Sequence, residues 1–145
     1  MEVLGERWAI LVLREAFYGT TRFDDFARHL GIASNILSAR LKALVEHDML
    51  ERVPEGARHA YRLTEMGRDF FPAFVALKHW SDRWMAPDGQ AVRLVHRATG
   101  EEVVPPAPLG ADGAPISPEG VRLVAGPGAG EAMRRRLALA EMADG

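Results

Sequence analysis

The chain has 145 residues with 18 Lys and Arg against 20 Asp and Glu, a formal net charge of −2, and no cysteine. That length fits one compact domain with an extension; the missing cysteines exclude disulfides, cysteinyl metal sites and thiol catalysis, and the charge excludes a protein that coats nucleic acid indiscriminately. With no apolar run near the length of a membrane span and no leader with a cleavage site, a cytoplasmic protein is expected.

Up to Phe17, apolar Leu4, Trp8, Ile10, Leu11, Leu13 and Phe17 predict one helix with a wide buried stripe, and Glu6, Arg7, Arg14 and Glu15 are expected in local ion pairs. Tyr18-Gly19-Thr20 is a turn. A supporting helix from Arg22 to Leu30 turns Phe23, Phe26, Ala27 and Leu30 inward, with Thr21 and Asp24 in a capping-box arrangement at its start. Gly31 supplies the left-handed residue that ends it, and Ile32 plugs the corner into the core. Arg22 sits where a cation gains nothing from the helix dipole, which favours a phosphate contact over an ion pair with Asp25.

The second helix, Ala33 to about His47, has two faces. At one hundred degrees per residue, Leu37, Leu41, Leu44 and Asp48 fall in a narrow arc with Ala33 and Ser34 at its flanks. Asn35, Ala39, Lys42 and Glu46 lie opposite, with Ser38 beside them. These are short or polar groups that let a helix approach a groove floor and bond base edges or phosphates, and on the helix alone they serve equally as a solvated face. Arg40 falls nearer the core arc, where it either holds a phosphate or clamps an acidic neighbour, with the clamp favoured.

Met49 to Leu63 predicts a hairpin, with strands Leu50–Val53 and Ala60–Leu63, a turn at Pro54-Glu55-Gly56, and Arg58 and His59 near its tip. An Arg there suits the negative potential of a minor groove. Helix, Gly turn, two-faced helix and basic-tipped hairpin make a winged helix-turn-helix, mainly α with a β wing. Between Thr21 and Leu63, Arg22, Arg28, Arg40, Lys42, Arg52, Arg58 and Arg62 face Asp24, Asp25, Glu46, Asp48, Glu51 and Glu55, so DNA affinity must come from placement of charge. Thr64 is expected to cap one long helix to about Met85, kinked or started by Pro72. Its aromatic surplus predicts a partner helix, and Phe70, Phe74, His79, Trp80 and Trp84 are candidates for a dimer seam or a small-molecule pocket. From Pro87 onward Pro, Gly and Ala dominate, with β-prone Ala91–Val95, Glu102–Val104 and Val121–Val124, turns at Thr99-Gly100 and Asp112-Gly113, and a terminal helix from Glu131 to Met142.

Gly5-Glu6-Arg7-Trp8, Leu13-Arg14-Glu15, Arg22-Phe23, Leu37-Ser38-Ala39-Arg40-Leu41 and Leu63-Thr64-Glu65-Met66-Gly67 together resemble the HxlR family of bacterial transcriptional regulators, relatives of the MarR group. The resemblance spans about Met1 to Trp84. It implies a homodimer that sets two recognition helices in successive major grooves of double-stranded DNA, a regulator of an inverted-repeat operator that is open to a small-molecule effector. Departures are the absence of the cysteine often found ahead of the Gly-Glu-Arg-Trp motif, Ala33 where a Ser or Thr cap is usual, and a short wing. The DNA-binding set is expected to be Arg22, Ser34, Asn35, Ser38, Ala39, Lys42, Arg58 and His59. In some relatives the tail is a zinc ribbon. His96-Arg97-Ala98-Thr99-Gly100 and Leu109-Gly110-Ala111-Asp112-Gly113 resemble its two knuckles, with Thr99, Leu109 and Asp112 where thiolates would stand, so a metal-free β-ribbon is expected and no cofactor. The domains expected are 1–86, for DNA binding and dimerisation, and an extension over 87–145. No enzyme is expected, because the five His lack motif neighbours and no phosphate loop or ligand cluster is present. The alternative is a protein-interaction adaptor or small-molecule sensor with weak or no DNA binding.

Overall fold

The structure, a computed structural model, describes residues 2–143, with side chains over residues 4–139. In chain order it holds α1 (Glu2–Gly5), α2 (Ala9–Phe17), α3 (Phe23–Leu30), α4 (Ser34–Glu46), β1 (Leu50–Glu55), β2 (Arg58–Leu63), α5 (Glu65–Asp69), α6 (Phe71–Met85) and α7 (Glu131–Ala143). This is a winged helix-turn-helix of the mixed α+β class. The chain forms two compact units, Met1–Pro106 and Ala107–Gly145, and among the described residues no helix is long and apolar enough to cross a membrane.

The core of the first unit gathers Val12 and Leu13 of α2, Phe26 of α3, Leu37, Leu41 and Leu44 of α4, and Met49 and Leu50 entering β1. Gly31 ends α3 at φ 62° as the tight corner requires, and Ile32 packs against the core. Ala33 caps α4 with no side-chain bond, as its missing hydroxyl implies. At the other end of α4 the Asp48 N–H donates to Val45 O at 3.1 Å and the Met49 N–H to Leu44 O at 2.9 Å, closing a Schellman motif. This overturns the expected place of Asp48 in the leucine arc. The helix has ended at Glu46, and Asp48 lies exposed in the left-handed region at φ 57° while Met49 goes inward.

Four other boundaries differ from periodicity. The first helix breaks at Glu6–Trp8, where Trp8 takes φ 76° beneath the Arg7 guanidinium, and Glu6 pairs across the fold with Arg40 instead of locally. Thr21 does not cap α3. Arg22 is the cap residue, without a side-chain bond, and the Thr21 carbonyl accepts the Tyr61 N–H at 2.8 Å, tying the wing to the start of α3. The hairpin turns at Gly56-Ala57, because Gly56 at φ 63° supplies the positive first position of a two-residue turn while Pro54 and Glu55 remain in β1, paired with His59 and Arg58. The long helix is broken at Phe70, and Pro72 sits in the first turn of α6, where its missing N–H costs nothing.

Thr64 caps α5 by accepting the Gly67 N–H at 3.0 Å, and its hydroxyl donates to Asp48 O. Gly67 is buried so closely that an added Cβ would stand 2.1 Å from the Met49 carbonyl. The Thr-x-x-Gly spacing therefore docks α5 onto the end of α4 through backbone contact.

Beyond Met85 the expected β-ribbon reduces to isolated bridges, Val95 with Glu102 and Leu109 with Pro115. Both turns form, with Gly100 at φ 73° and Gly113 at φ 78°, but prolines at 105, 106, 108, 115 and 118 remove the donors a ladder needs. Among the described residues no strand follows Leu63. The Thr99 hydroxyl instead closes its knuckle, 3.2 Å from His96 Nδ1 and donating to Glu101 Oε2 at 3.1 Å. Among the described residues no group of three His, Asp or Glu could hold a metal ion.

Substituting Gly67→Ala is expected to lower the unfolding free energy by about 1–3 kcal/mol, since rigid backbone must shift. Urea denaturation checks this, with exposed Met66→Ala as the near-neutral control.

Candidate nucleic-acid interface

The burial of Leu37, Leu41 and Leu44 at 0 % exposure decides the orientation of α4. With that stripe inward, Ser34, Asn35, Ser38, Ala39 and Lys42 are all exposed. Arg40 leaves the outer face: its side chain is 22 % exposed, its Nη1 bonds Glu6, and its Nε is buried without a partner. It is an internal clamp joining α4 to the Gly-Glu-Arg-Trp segment.

Beside α4 lies a groove of about 450 Å³ between the start of α3 and the wing. Arg22, Ser38, Arg58 and His59 line it, so four of the eight expected DNA-binding residues converge there. Ser34, Asn35, Ala39 and Lys42 stand on the open face of α4 and do not line the groove. Arg52, Asp24 and Tyr61 complete the groove and were missed by sequence reasoning. Arg52 pairs with Tyr61 across the hairpin, and its Nη2 donates to His59 Nδ1 at 3.1 Å. With the turn at Gly56-Ala57, these three share one face of the wing. The expected strands, Leu50–Val53 against Ala60–Leu63, pair end to end in this same register, and a one-residue slip would exchange the two faces.

The cations here are engaged by acids. Arg58 Nη1 bonds Asp24 Oδ2 at 3.1 Å, joining wing to α3. Glu55 takes Arg22 and also Arg62, the latter at 3.3 Å, and Lys42 lies 3.6 Å from Glu46. Side-chain exposures of 72 % and 73 % for the Arg58–Asp24 pair put it in high dielectric. Such pairs contribute about 0–1 kcal/mol each, so a phosphate can replace either carboxylate at small cost.

The aromatic candidates do not form one site. Phe74 is buried, with its ring 4.8 Å from Phe17, and Phe70 packs against the core. His79 faces a small cleft on another side of α6, while Trp80 and Trp84 stand 50 % and 67 % exposed.

A family model described as HxlR-like helix-turn-helix matches residues 3–89. The HTH-type transcriptional regulator Rv3095 of Mycobacterium tuberculosis is 48 % identical over 109 residues, 72 % of this chain and 69 % of that protein. Among solved structures, PA1607, titled as a transcription factor, is similar at TM-score 0.78 and 43 % identity, over 85 % of this chain and 89 % of its own. PA1374 from Pseudomonas aeruginosa, titled likewise, gives TM-score 0.63 at 43 % identity, over 93 % and 94 %.

Removing the wing tether by Arg58→Ala is expected to change folding stability by no more than about 1 kcal/mol, since both partners are solvated. Chemical denaturation of the two proteins side by side measures it.

Proposed function

The chain belongs to the HxlR-like helix-turn-helix family, and we propose that it is a DNA-binding transcriptional regulator that reads an inverted-repeat operator as a homodimer, in the cytoplasm. One observation carries the reading most: Asn35, Ser38, Ala39 and Lys42 stand exposed on a helix whose opposite side is wholly buried, next to a groove bearing Arg22, Arg52 and Arg58. A helix about 10–12 Å across fits a major groove about 12 Å wide. Asn35 and Ser38 then face base edges, Ala39 permits close approach, and Lys42 and Arg22 neutralise phosphates. The wing lies alongside, with Arg58 and His59 at the backbone or minor groove.

The second copy is supported by α6. Ala73, Leu77, Trp80 and Trp84 are all exposed and recur at spacings of four, three and four residues, the interval of a helix-helix seam. A twofold pairing there spaces two recognition helices for half-sites about 34–36 Å apart. One observation favours an adaptor with weak DNA binding instead: the acids Asp24 and Glu55 already occupy the cations of the groove.

Titrating labelled DNA from upstream of the gene against the protein separates the two. The regulator predicts tight, salt-sensitive binding, whereas an adaptor predicts no binding above that of random duplex. Within the regulator, Asn35→Ala or Ser38→Ala should relax base preference by about 1–3 kcal/mol at one position per half-site. Arg58→Ala should weaken binding to every sequence and reduce the salt slope by about one per subunit. Unchanged affinity in all three variants refutes the assigned faces.

A separate measurement concerns the carboxylates. Asp24→Asn frees Arg58 and removes a charge that repels phosphate, so affinity for both operator and random DNA should rise, random DNA proportionally more. Anisotropy titrations at two salt concentrations check it.

A further inference from the structure

Away from the reading face, a cavity of about 570 Å³ opens between α2, α6 and the segment around Val92. That volume falls within the ~300–1000 Å³ usual for small-molecule sites. Its walls are apolar, with Ile10 and Leu11 on one side, Phe74 and Leu77 on the other, and Val92 at the mouth. Set into them are two ion pairs. The Arg14 Nε and Nη2 donate to Glu15 Oε1 at 3.3 and 3.0 Å. The Lys78 ammonium donates to Asp82, with side-chain exposures of only 12 % and 19 %.

The unused hydrogen-bonding capacity in this cavity consists mostly of donors. Glu15 is already saturated: Oε1 takes Arg14, while Oε2 takes the Thr20 hydroxyl at 3.3 Å and lies 3.2 Å from His29 Nδ1. Arg14 Nη1 donates to none of the described residues, and Lys78 uses one of its three N–H groups. A cation entering here finds Glu15 spent and Asp82 already neutralised by Lys78, with Oδ1 the one carboxylate oxygen not engaged by a described residue, and two positive groups beside it. A neutral apolar ligand covers those spare N–H groups and leaves them unpaired. An anion with a flat apolar body satisfies both demands, because its carboxylate meets Arg14 and Lys78 while its ring lies between Leu11, Phe74 and Leu77.

We propose that this cavity binds small aromatic carboxylates and that their binding is transmitted to the DNA-reading unit. The link is Glu15, which joins α2 to Thr20 and to His29 of α3, the helix supporting α4. A carboxylate that draws Arg14 off Glu15 alters that joint, and on the other wall it touches α6, the helix bearing the exposed seam. The regulatory half rests on the proposed DNA-binding function; the binding half does not.

The test uses the full chain without DNA first. Calorimetric titration with 2-naphthoate should give saturable binding of one ligand per chain, with 2-naphthamide and 2-naphthylmethylamine at least tenfold weaker. Val92→Trp, which plugs the mouth without touching the ion pairs, should abolish the binding, and Arg14→Ala should weaken the acid to the level of the amide. Circular dichroism shows whether Arg14→Ala keeps its fold, and Val92→Trp decides the location if it does not. Equal binding of acid and amide, preference for the amine, no binding, or binding that survives Val92→Trp overturns the proposed site. DNA titration with and without 2-naphthoate then reads the coupling, expected as a fivefold or larger change in affinity that Val92→Trp removes. Ligand binding with unchanged DNA affinity overturns only the transmission, and failure to bind DNA at all falls on the regulator reading.

Discussion

The inward stripe of Leu37, Leu41 and Leu44 is the constraint on which the rest depends. Fully burying a leucine is worth about 1.5–3 kcal/mol, and truncating one in a packed core costs about 2–5 kcal/mol. The polar contacts of the outer face are each worth no more than about 1 kcal/mol. The rotation of α4 about its axis is therefore set by the buried side, and the exposed side is left to be chosen for recognition. Phe26 and Leu13 close the stripe from α3 and α2, so the helix-turn-helix shares one continuous core. The Arg40–Glu6 clamp reinforces this, placing the Gly-Glu-Arg-Trp segment against the back of the helix that displays Asn35 and Ser38.

The electrostatics of the reading face follow from nearly equal numbers of acids and bases. A groove lined by unpaired arginines would attract any polyanion, whereas the pairing of Arg58 with Asp24 and of Arg22 and Arg62 with Glu55 lowers the positive potential of this face. Because these pairs are solvated, exchange of carboxylate for phosphate is cheap when the helix face also fits. In the proposed reading, specificity falls to α4 and orientation to the wing, in line with the division between base contacts and phosphate contacts. Tyr61 ties the wing to α3, with its backbone N–H on Thr21 and its ring edge-on to Phe26 at 6.4 Å.

A second layer lies on the opposite side of α2. There Glu15, a buried acid, is held by Arg14, Thr20 and His29, and α6 carries a sequestered Lys78–Asp82 pair on one flank and an exposed aromatic stripe on another. Helix α6 thus supplies one wall of the cavity, and the surface proposed for a second copy meets that wall at Leu77. A helix in that position can connect what fills the cavity to the separation of two reading heads.

Periodicity and turn chemistry alone determined the helix-turn-helix: the faces of α4, the left-handed Gly31, the Thr64 cap, the inward lean of Arg40 and the place of Pro72 are local properties, fixed by 3.6-residue spacing and by which residues tolerate which dihedrals. The exposure of Ser34, Asn35, Ser38, Ala39 and Lys42 on α4 was legible for the same reason. What the tertiary structure decided were matters of partner choice. Trp8 breaks the first helix and Glu6 crosses to Arg40, Asp48 leaves the leucine arc while Met49 enters the core, and the wing turns at Gly56-Ala57, which extends the ladder to Pro54 with His59 and Glu55 with Arg58. Gly67 belongs to both levels, since the motif marks it but only the Met49 carbonyl, eighteen positions earlier, gives the reason. The cavity was invisible to spacing because its lining comes from α2, α3, α6 and the segment around Val92, and although each of its ion pairs is local in sequence, no period shows that Arg14 and Lys78 face the same space.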